Sequence, residues 1–512
     1  MKRTVNALRK LNWGTRACAV LVLCATTAIA LPAQTLTTLH SFHSTDGENP
    51  TAALVQATDG NLYGTTAYGG LYPNNCPGSY SPADGCGTVF RITPSGKLTT
   101  LHSFNGTDGG NPIAGLIQAN DGDFCGTTAY GGAFGWRTIF KITRTGTLST
   151  LYSFCPGGPY CTDGALPFAG LIQATNGDFY GTTYDGGAGG QGTIFKITPV
   201  GTLTTLYSFC AQTGCTSGGP NPDGENPSAG LVQAFNGSLY GTTSNGGAYG
   251  YGTVFKITPT GSLTTLHNFS GFPDEGGHPS AGLVQATNGD FYGTTPYGGP
   301  KGNGTQGGTV FRITPAGTLT TLHSFCAQSN CTDGELPFAA LVQATDGDFY
   351  GTTSLGGYNN CGKIIGCGTA FKITPTGSLT TVYNFCSPSG CTVNGQSPSA
   401  GLVQATNGDF YGTTVYAGAN NGDGTVFSLS VGLGPFVETQ PTSGKAGAAV
   451  KILGTNLTDA ASVSFNGSAA AFTVVSSSLI TTTVPAGASS GRVQVVTPSR
   501  TLSSNVAFRV VP

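Results

Sequence analysis

One phrase returns seven times in this chain: an apolar run such as Gly-Leu-Val-Gln-Ala, an Asn-Gly or Asp-Gly pair, then Phe-Tyr-Gly-Thr-Thr. The residue preceding Gly-Thr-Thr is Tyr63, Cys125, Tyr180, Tyr240, Tyr292, Tyr350 and Tyr411, at intervals of 52 to 62 residues. Each copy continues with a Thr-Val-Phe-Lys-Ile-Thr-like run, a Pro-x-Gly turn and a Leu-Thr-Thr-Leu-His-Ser-Phe-like run. A repeat of this period constrains the whole architecture, because one unit cannot bury its apolar faces alone.

The four runs, here a to d in chain order, are short, rich in Thr, Val, Ile, Phe and Tyr, and bounded by turn residues, so each reads as a strand. Asn-Gly or Asp-Gly between a and b suits a tight hairpin. Pro and Gly between c and d suit a β-turn. A repeat is therefore a four-stranded antiparallel meander. Composition agrees: 82 of 512 residues are Gly and only 9% are charged, which disfavours helices. Seven such sheets packed face to face predict an all-β fold, a seven-bladed β-propeller over residues 35–431. A d run, Leu36–Phe42, precedes the first a–b–c unit, and the last unit, Leu402–Val431, lacks one. The orphan strand is expected to complete the orphan sheet and close the ring. An open stack and another β-architecture are the alternatives.

The wording AGLVQATNGDFYGTT (residues 400–414 in the seventh copy), followed by GTVFKITPTGSLTTLHSF-like runs, resembles the GloVer tandem repeat of bacterial exported, choice-of-anchor proteins. That resemblance implies export and repeats, without an activity. The second copy departs most, with Cys125 for Tyr, Arg137 for Gly and Arg144 for Pro. After a Gly-Leu-Gly-Pro linker at 432–435, residues 436–512 hold alternating segments that suit a small immunoglobulin-like β-sandwich. The run QPTSGKAGAAVKILGTNL from Gln440 resembles the IPT/TIG domain, which implies a spacer or interaction module. Its basic residues, Lys445, Lys451, Arg492, Arg500 and Arg509, are scattered, so a nucleic-acid partner is not expected.

Residues 1–33 read as a signal peptide: a basic start, the apolar run Ala17–Leu31, then small residues at Ala30 and Ala33. A membrane anchor is the alternative, but a span needs about 20 apolar residues and this run has 15. No transmembrane span is expected in the mature chain, which is read as secreted, extracellular or at the cell surface. Five of the 21 Lys and Arg lie in the first 34 residues, leaving 16 against 23 acids, a net −7.

Twelve cysteines fall into close pairs: Cys76/Cys86, Cys155/Cys161, Cys210/Cys215, Cys326/Cys331, Cys361/Cys367 and Cys386/Cys391. In an exported chain these read as six local disulfides. Zinc would need four ligands together, and no metal site is expected. Cys125 reads as a buried thiol. His40, His102, His267 and His323 share one d-strand position with Tyr152, Tyr207 and Tyr383, which reads as space-filling. An Asp-Gly motif recurs before strand a, at Asp46, Asp108, Asp163, Asp223 and Asp333. It reads as a turn, with calcium the weaker alternative and no other cofactor expected. Gly487–Gly491 matches Gly-x-Ser-x-Gly and Gly187–Gly192 matches Gly-x-Gly-x-x-Gly, but neither leads into a helix, so neither carries catalysis or phosphate binding.

In a meander, the a–b and c–d links leave on one face and the b–c and d–a links on the other. Only the second set varies in length, and it carries all six cysteine pairs. Variable loops on a rigid scaffold are where binding is expected. Just past strand b stand Tyr68, Tyr130, Asp185, Asn245, Tyr297, Leu355 and Tyr416, with Trp136 nearby. Tyr68, Tyr130, Trp136, Tyr297 and Tyr416 are the candidate ligand-binding residues, for an extracellular glycan or a surface protein. The alternative is that each Tyr packs on its own loop. No catalytic residues are assigned. The expected function is non-catalytic binding or adhesion; a secreted polysaccharide hydrolase or lyase, and pure scaffolding, are the rivals.

Overall fold

The computed structural model describes residues 34–72, 76, 85–133, 135, 137–156, 158, 161–211, 221–271, 275–299, 307–327, 331–357, 367–385, 394–419 and 422–511. Residues 1–33, read as the signal peptide, lie outside them, and no described helix is long and apolar enough to cross a membrane. The described residues form strands and turns without helices. Within the repeats lie seven four-stranded antiparallel sheets, each in the order a–b–c–d. In the first they are Val55–Gln56, Leu62–Thr66, Thr88–Ile92 and Leu98–Ser103.

Strand a is shorter than its sequence suggests. Of the Gly-Leu-Val-Gln-Ala run, only the Val-Gln or Ile-Gln pair joins the ladder. The small residue before it packs against its counterparts in neighbouring sheets, as Gly401 does against Ala340 and Ala53. Strands b and c are almost entirely buried, and d is half-exposed. The Gly of Phe-Tyr-Gly-Thr-Thr is required by close packing. A Cβ on Gly64 would lie 2.6 Å from the Phe90 ring, and the same Phe contact recurs in every sheet.

Three contacts tie each sheet to the next. The Thr65 hydroxyl donates to the Ala114 carbonyl at 3.2 Å, Phe104 meets Phe140 edge-on at 5.3 Å, and Gln118 Oε1 accepts the Thr58 N–H at 2.9 Å. Buried aromatic pairs of this kind add specificity to apolar burial. The same contacts join the seventh sheet to the first: Thr413 to Ala52, Phe42 to Phe90 and Thr406 to Gln56. The orphan strand, Thr35–Ser41, pairs antiparallel with Thr425–Ser430, with Leu36 opposite Leu429. It is the d strand of the seventh sheet.

Residues 436–511 form two further four-stranded sheets around Val450, Ile452, Leu457, Val463, Phe465, Ile480, Val493, Val495 and Phe508. This module rests on the a–b turns of the repeats. Ser478 Oγ donates to the Thr58 carbonyl at 3.1 Å, Lys451 Nζ to the Asn120 carbonyl at 2.7 Å, and Thr455 meets Thr406 at 2.9 Å. Arg509 donates to the Phe235 carbonyl. A cavity of about 450 Å³ remains between them, with Glu438 in its wall.

Candidate functional site

The link face opposite this module is built by strand b. Its last Thr donates to the carbonyl two residues later, Thr66 to Tyr68 at 2.9 Å, Thr128 to Tyr130 at 3.0 Å, Thr295 to Tyr297 at 3.0 Å and Thr414 to Tyr416 at 3.3 Å, and Thr66 and Thr128 also accept the first N–H of strand c. An antiparallel bridge to the incoming d–a link pins the same residue, as Glu48 pins Tyr68 and Gln396 pins Tyr416. Tyr68, Tyr130, Asp185, Asn245, Tyr297, Leu355 and Tyr416 therefore hold one backbone position in seven sheets.

Their side chains do not share one environment. Tyr416 is 50% exposed. Tyr297 is packed edge-on with His278 at 5.9 Å and Phe338 at 6.3 Å, bridging two sheets. Trp136 lies outside the described residues.

The His/Tyr position of strand d is not mere filling, as the sequence suggested. His40 Nε2 lies 2.9 Å from an Asp46 carboxylate oxygen, His102 2.8 Å from Asp108, and His323 3.0 Å from Asp333. Tyr152 and Tyr207 donate to Asp163 and Asp223, each at 2.9 Å. His267 meets Glu275 at 3.2 Å, and where the acid is absent Asn394 donates to the Tyr383 hydroxyl. His and Tyr alternate because both can donate to a carboxylate at that distance. The other carboxylate oxygen takes a backbone N–H, as Asp46 does from His43 and Asp108 from Asn105. These acids brace the d–a link.

Cys76–Cys86, Cys155–Cys161 and Cys326–Cys331 are disulfide-bonded. Cys210 and Cys367 are also bridged. Their expected partners, Cys215 and Cys361, lie outside the described residues, as do Cys386 and Cys391. Cys326 and Cys331 lie close to Glu335, but their sulfurs are bonded to each other and offer no thiolate to a metal. Cys125 is buried, and desolvation pushes its thiol up to about 12, so it is not a nucleophile near neutral pH.

The residue the sequence marked only as a departure, Arg137, lines a cavity of about 600 Å³ on this face, with Asp185, Cys161, Thr162, Ala165 and residues 186–190. Its six counterparts are Gly87, Gly192, Gly252, Gly308, Gly368 and Gly424, with φ of 90° to 102°. A Cβ on any of them would come within 3.0 Å of a backbone oxygen and of the next sheet's Pro Cδ. Arg137 nevertheless holds φ 119° and keeps the same two backbone bonds, its N–H to Gly131 and its carbonyl from Phe154. A side chain in such backbone costs about 1–3 kcal/mol and persists where the surroundings over-determine it. Arg137 Nε donates to the Ala129 carbonyl at 3.1 Å. Burial lowers the guanidinium pKa, opposed by Tyr130 and Asp185. Burial raises the Asp185 carboxyl despite Arg137, and Asn226 donates to it at 3.2 Å.

These features define a class: an all-β tandem-repeat protein with a sandwich module seated on one link face and a built pocket on the other. The model of the Gloeobacter/Verrucomicrobia repeat matches residues 29–221 and 216–392, and the chain belongs to that family. The IPT/TIG domain model matches residues 436–510. No curated protein matches the chain. Among solved structures, a fungal AA5-family alcohol oxidase in complex with copper is similar at 14% identity, covering 93% of this chain and 99% of that one, with a TM-score of 0.51. A protein described as a gluconolactonase matches at 12% identity over 79% of this chain and 94% of that one, TM-score 0.38. The likeness to the oxidase is one of fold.

Proposed function

We propose that the chain is an exported, surface-exposed binding protein whose repeats form a closed seven-bladed β-propeller and whose variable link face takes an extracellular glycan. The observation that carries this reading is the division of the two link faces. The IPT/TIG module covers the uniform a–b turns of four sheets by hydrogen bonds. The Cys76–Cys86, Cys155–Cys161 and Cys326–Cys331 disulfides, Tyr416 and the Arg137 cavity lie on the other face. Closure is supported by the pairing of Thr35–Ser41 with Thr425–Ser430 and by contacts that return from the seventh sheet to the first.

Around Asp185 stand Arg137, whose charge opposes the rise of its carboxyl, and Asn226, which donates to it at 3.2 Å; both are contacts a sugar hydroxyl can share without bond cleavage. The test is a glycan array and a polysaccharide hydrolase panel on residues 34–512. Saturable binding without turnover is expected. Turnover abolished by Asp185→Asn overturns the reading in favour of an enzyme, and a surface protein as the sole ligand overturns the glycan part.

A further inference from the structure

Six sheets use glycine where the second uses Arg137, and the reason is geometric: a Cβ on any of the six glycines would crowd a backbone oxygen and the next sheet's Pro Cδ. The two backbone hydrogen bonds of residue 137 are those of its glycine counterparts, and its side chain adds one more, from Nε to the Ala129 carbonyl. Its side chain reaches the wall of the 600 Å³ cavity, where Asp185, from the next sheet, also stands. Tyr130 and Asp185 sit at equivalent positions of adjacent sheets, each pinned by a bridge, to Gly110 and Ala165. The floor is the Gly186–Gly190 loop, which has one β-carbon, that of Ala188, and lets a ligand approach the backbone.

We infer that the Arg137–Asp185 cavity is a saccharide subsite specific for a carboxylate-bearing sugar, a uronate. Arg137 supplies the planar donor set that matches a carboxylate. Asp185, on the same wall, accepts from ring hydroxyls. The strain at residue 137 is then the structural cost of a specificity determinant, as strained backbone at binding sites commonly is. This inference rests on the glycan reading proposed above and deepens it to one subsite.

The test compares the chain spanning residues 34–512 with its Arg137→Gly variant. Calorimetric titration uses short oligomers of galacturonate, glucuronate and mannuronate beside neutral oligosaccharides of matching linkage. At least one uronate oligomer should bind tenfold or more tighter than its neutral counterpart, and Arg137→Gly should erase that preference. The same variant should melt at a higher temperature, because it restores the residue the slot accommodates. Asp185→Asn should weaken uronate and neutral oligomers alike. A lower melting temperature for Arg137→Gly, or an unchanged uronate preference, overturns the inference. Tight binding of neutral oligomers alone overturns it while leaving the glycan reading standing, and binding of no saccharide overturns both.

Discussion

Gln56 Oε1 accepts the backbone N–H of Thr406 at 2.8 Å, joining the first a–b turn to the last across 350 residues of sequence. The same bond links every other pair of adjacent turns, as Gln118 does Thr58 and Gln285 does Phe235. Each Gln also ties its own turn through Nε2, as Gln118 does to Gly122 at 3.0 Å. One side chain per sheet thus sets both the hairpin and the spacing to its neighbour. Thr406 is 1% exposed, so its N–H has no ready access to water if the glutamine is removed.

Gln56→Ala is therefore expected to destabilise the repeats by about 1–3 kcal/mol, the cost of an unsatisfied buried donor. Deleting Thr35–Ser41 should do more, since it strips the outer strand from the seventh sheet and leaves an open edge. Melting temperature and size-exclusion profile check both. A deletion variant that melts like the parent and stays monodisperse would count against closure.

The pairing of strand-d His or Tyr with the acid of the d–a link predicts an asymmetry between two substitutions at one site. His102→Phe keeps the ring, which packs edge-on against Phe104 at 5.1 Å, but removes the donor to Asp108. It should cost about 1 kcal/mol. His102→Tyr should cost clearly less, because Tyr152 and Tyr207 make the same bond elsewhere. Equal losses for the two would show that only ring volume matters.

Glu438 predicts a pH dependence with a definite sign. Its remaining accessible surface opens into the cavity beneath the module, and desolvation raises its carboxyl above the ordinary 4.5. A raised acid is protonated more readily in the folded state, so this group opposes folding increasingly as pH rises from 4.5 through its folded value. Glu438→Gln should raise the melting temperature at pH 7 and leave it nearly unchanged at pH 4. Lys451, one strand over, is tied to the Asn120 carbonyl. A variant less stable at pH 7 would mean that the charge is used.

The tyrosine row should split by environment. Tyr297→Ala empties the space between His278 and Phe338 and should lower the melting temperature. Tyr416→Ala, at a half-exposed side chain, should leave stability unchanged and weaken glycan binding several-fold. Thermal shift and titration on the two single variants check this, and the reverse assignment would discard Tyr416 as a contact.

Much of this architecture was legible in the chain because local chemistry repeats faithfully. Turn residues, β-branched runs and the orphan strand Thr35–Ser41 each point to the same pairing, and periodicity multiplies a weak signal sevenfold. The buried state of Cys125 and the turn at Asp46 also follow from local pattern. What the sequence could not reveal depends on contacts between sheets. Gln56 and Thr406 look like ordinary strand and turn residues until the first and seventh sheets are adjacent. His and Tyr look interchangeable as volume until Asp46 or Asp163 is seen opposite. Arg137 reads as a departure in one repeat; only packing shows that a Cβ would crowd the six glycine counterparts and that the arginine side chain lines a cavity shared with Asp185 of the next sheet. Local backbone preference is encoded residue by residue, whereas a site between sheets exists only once long-range packing brings its halves together.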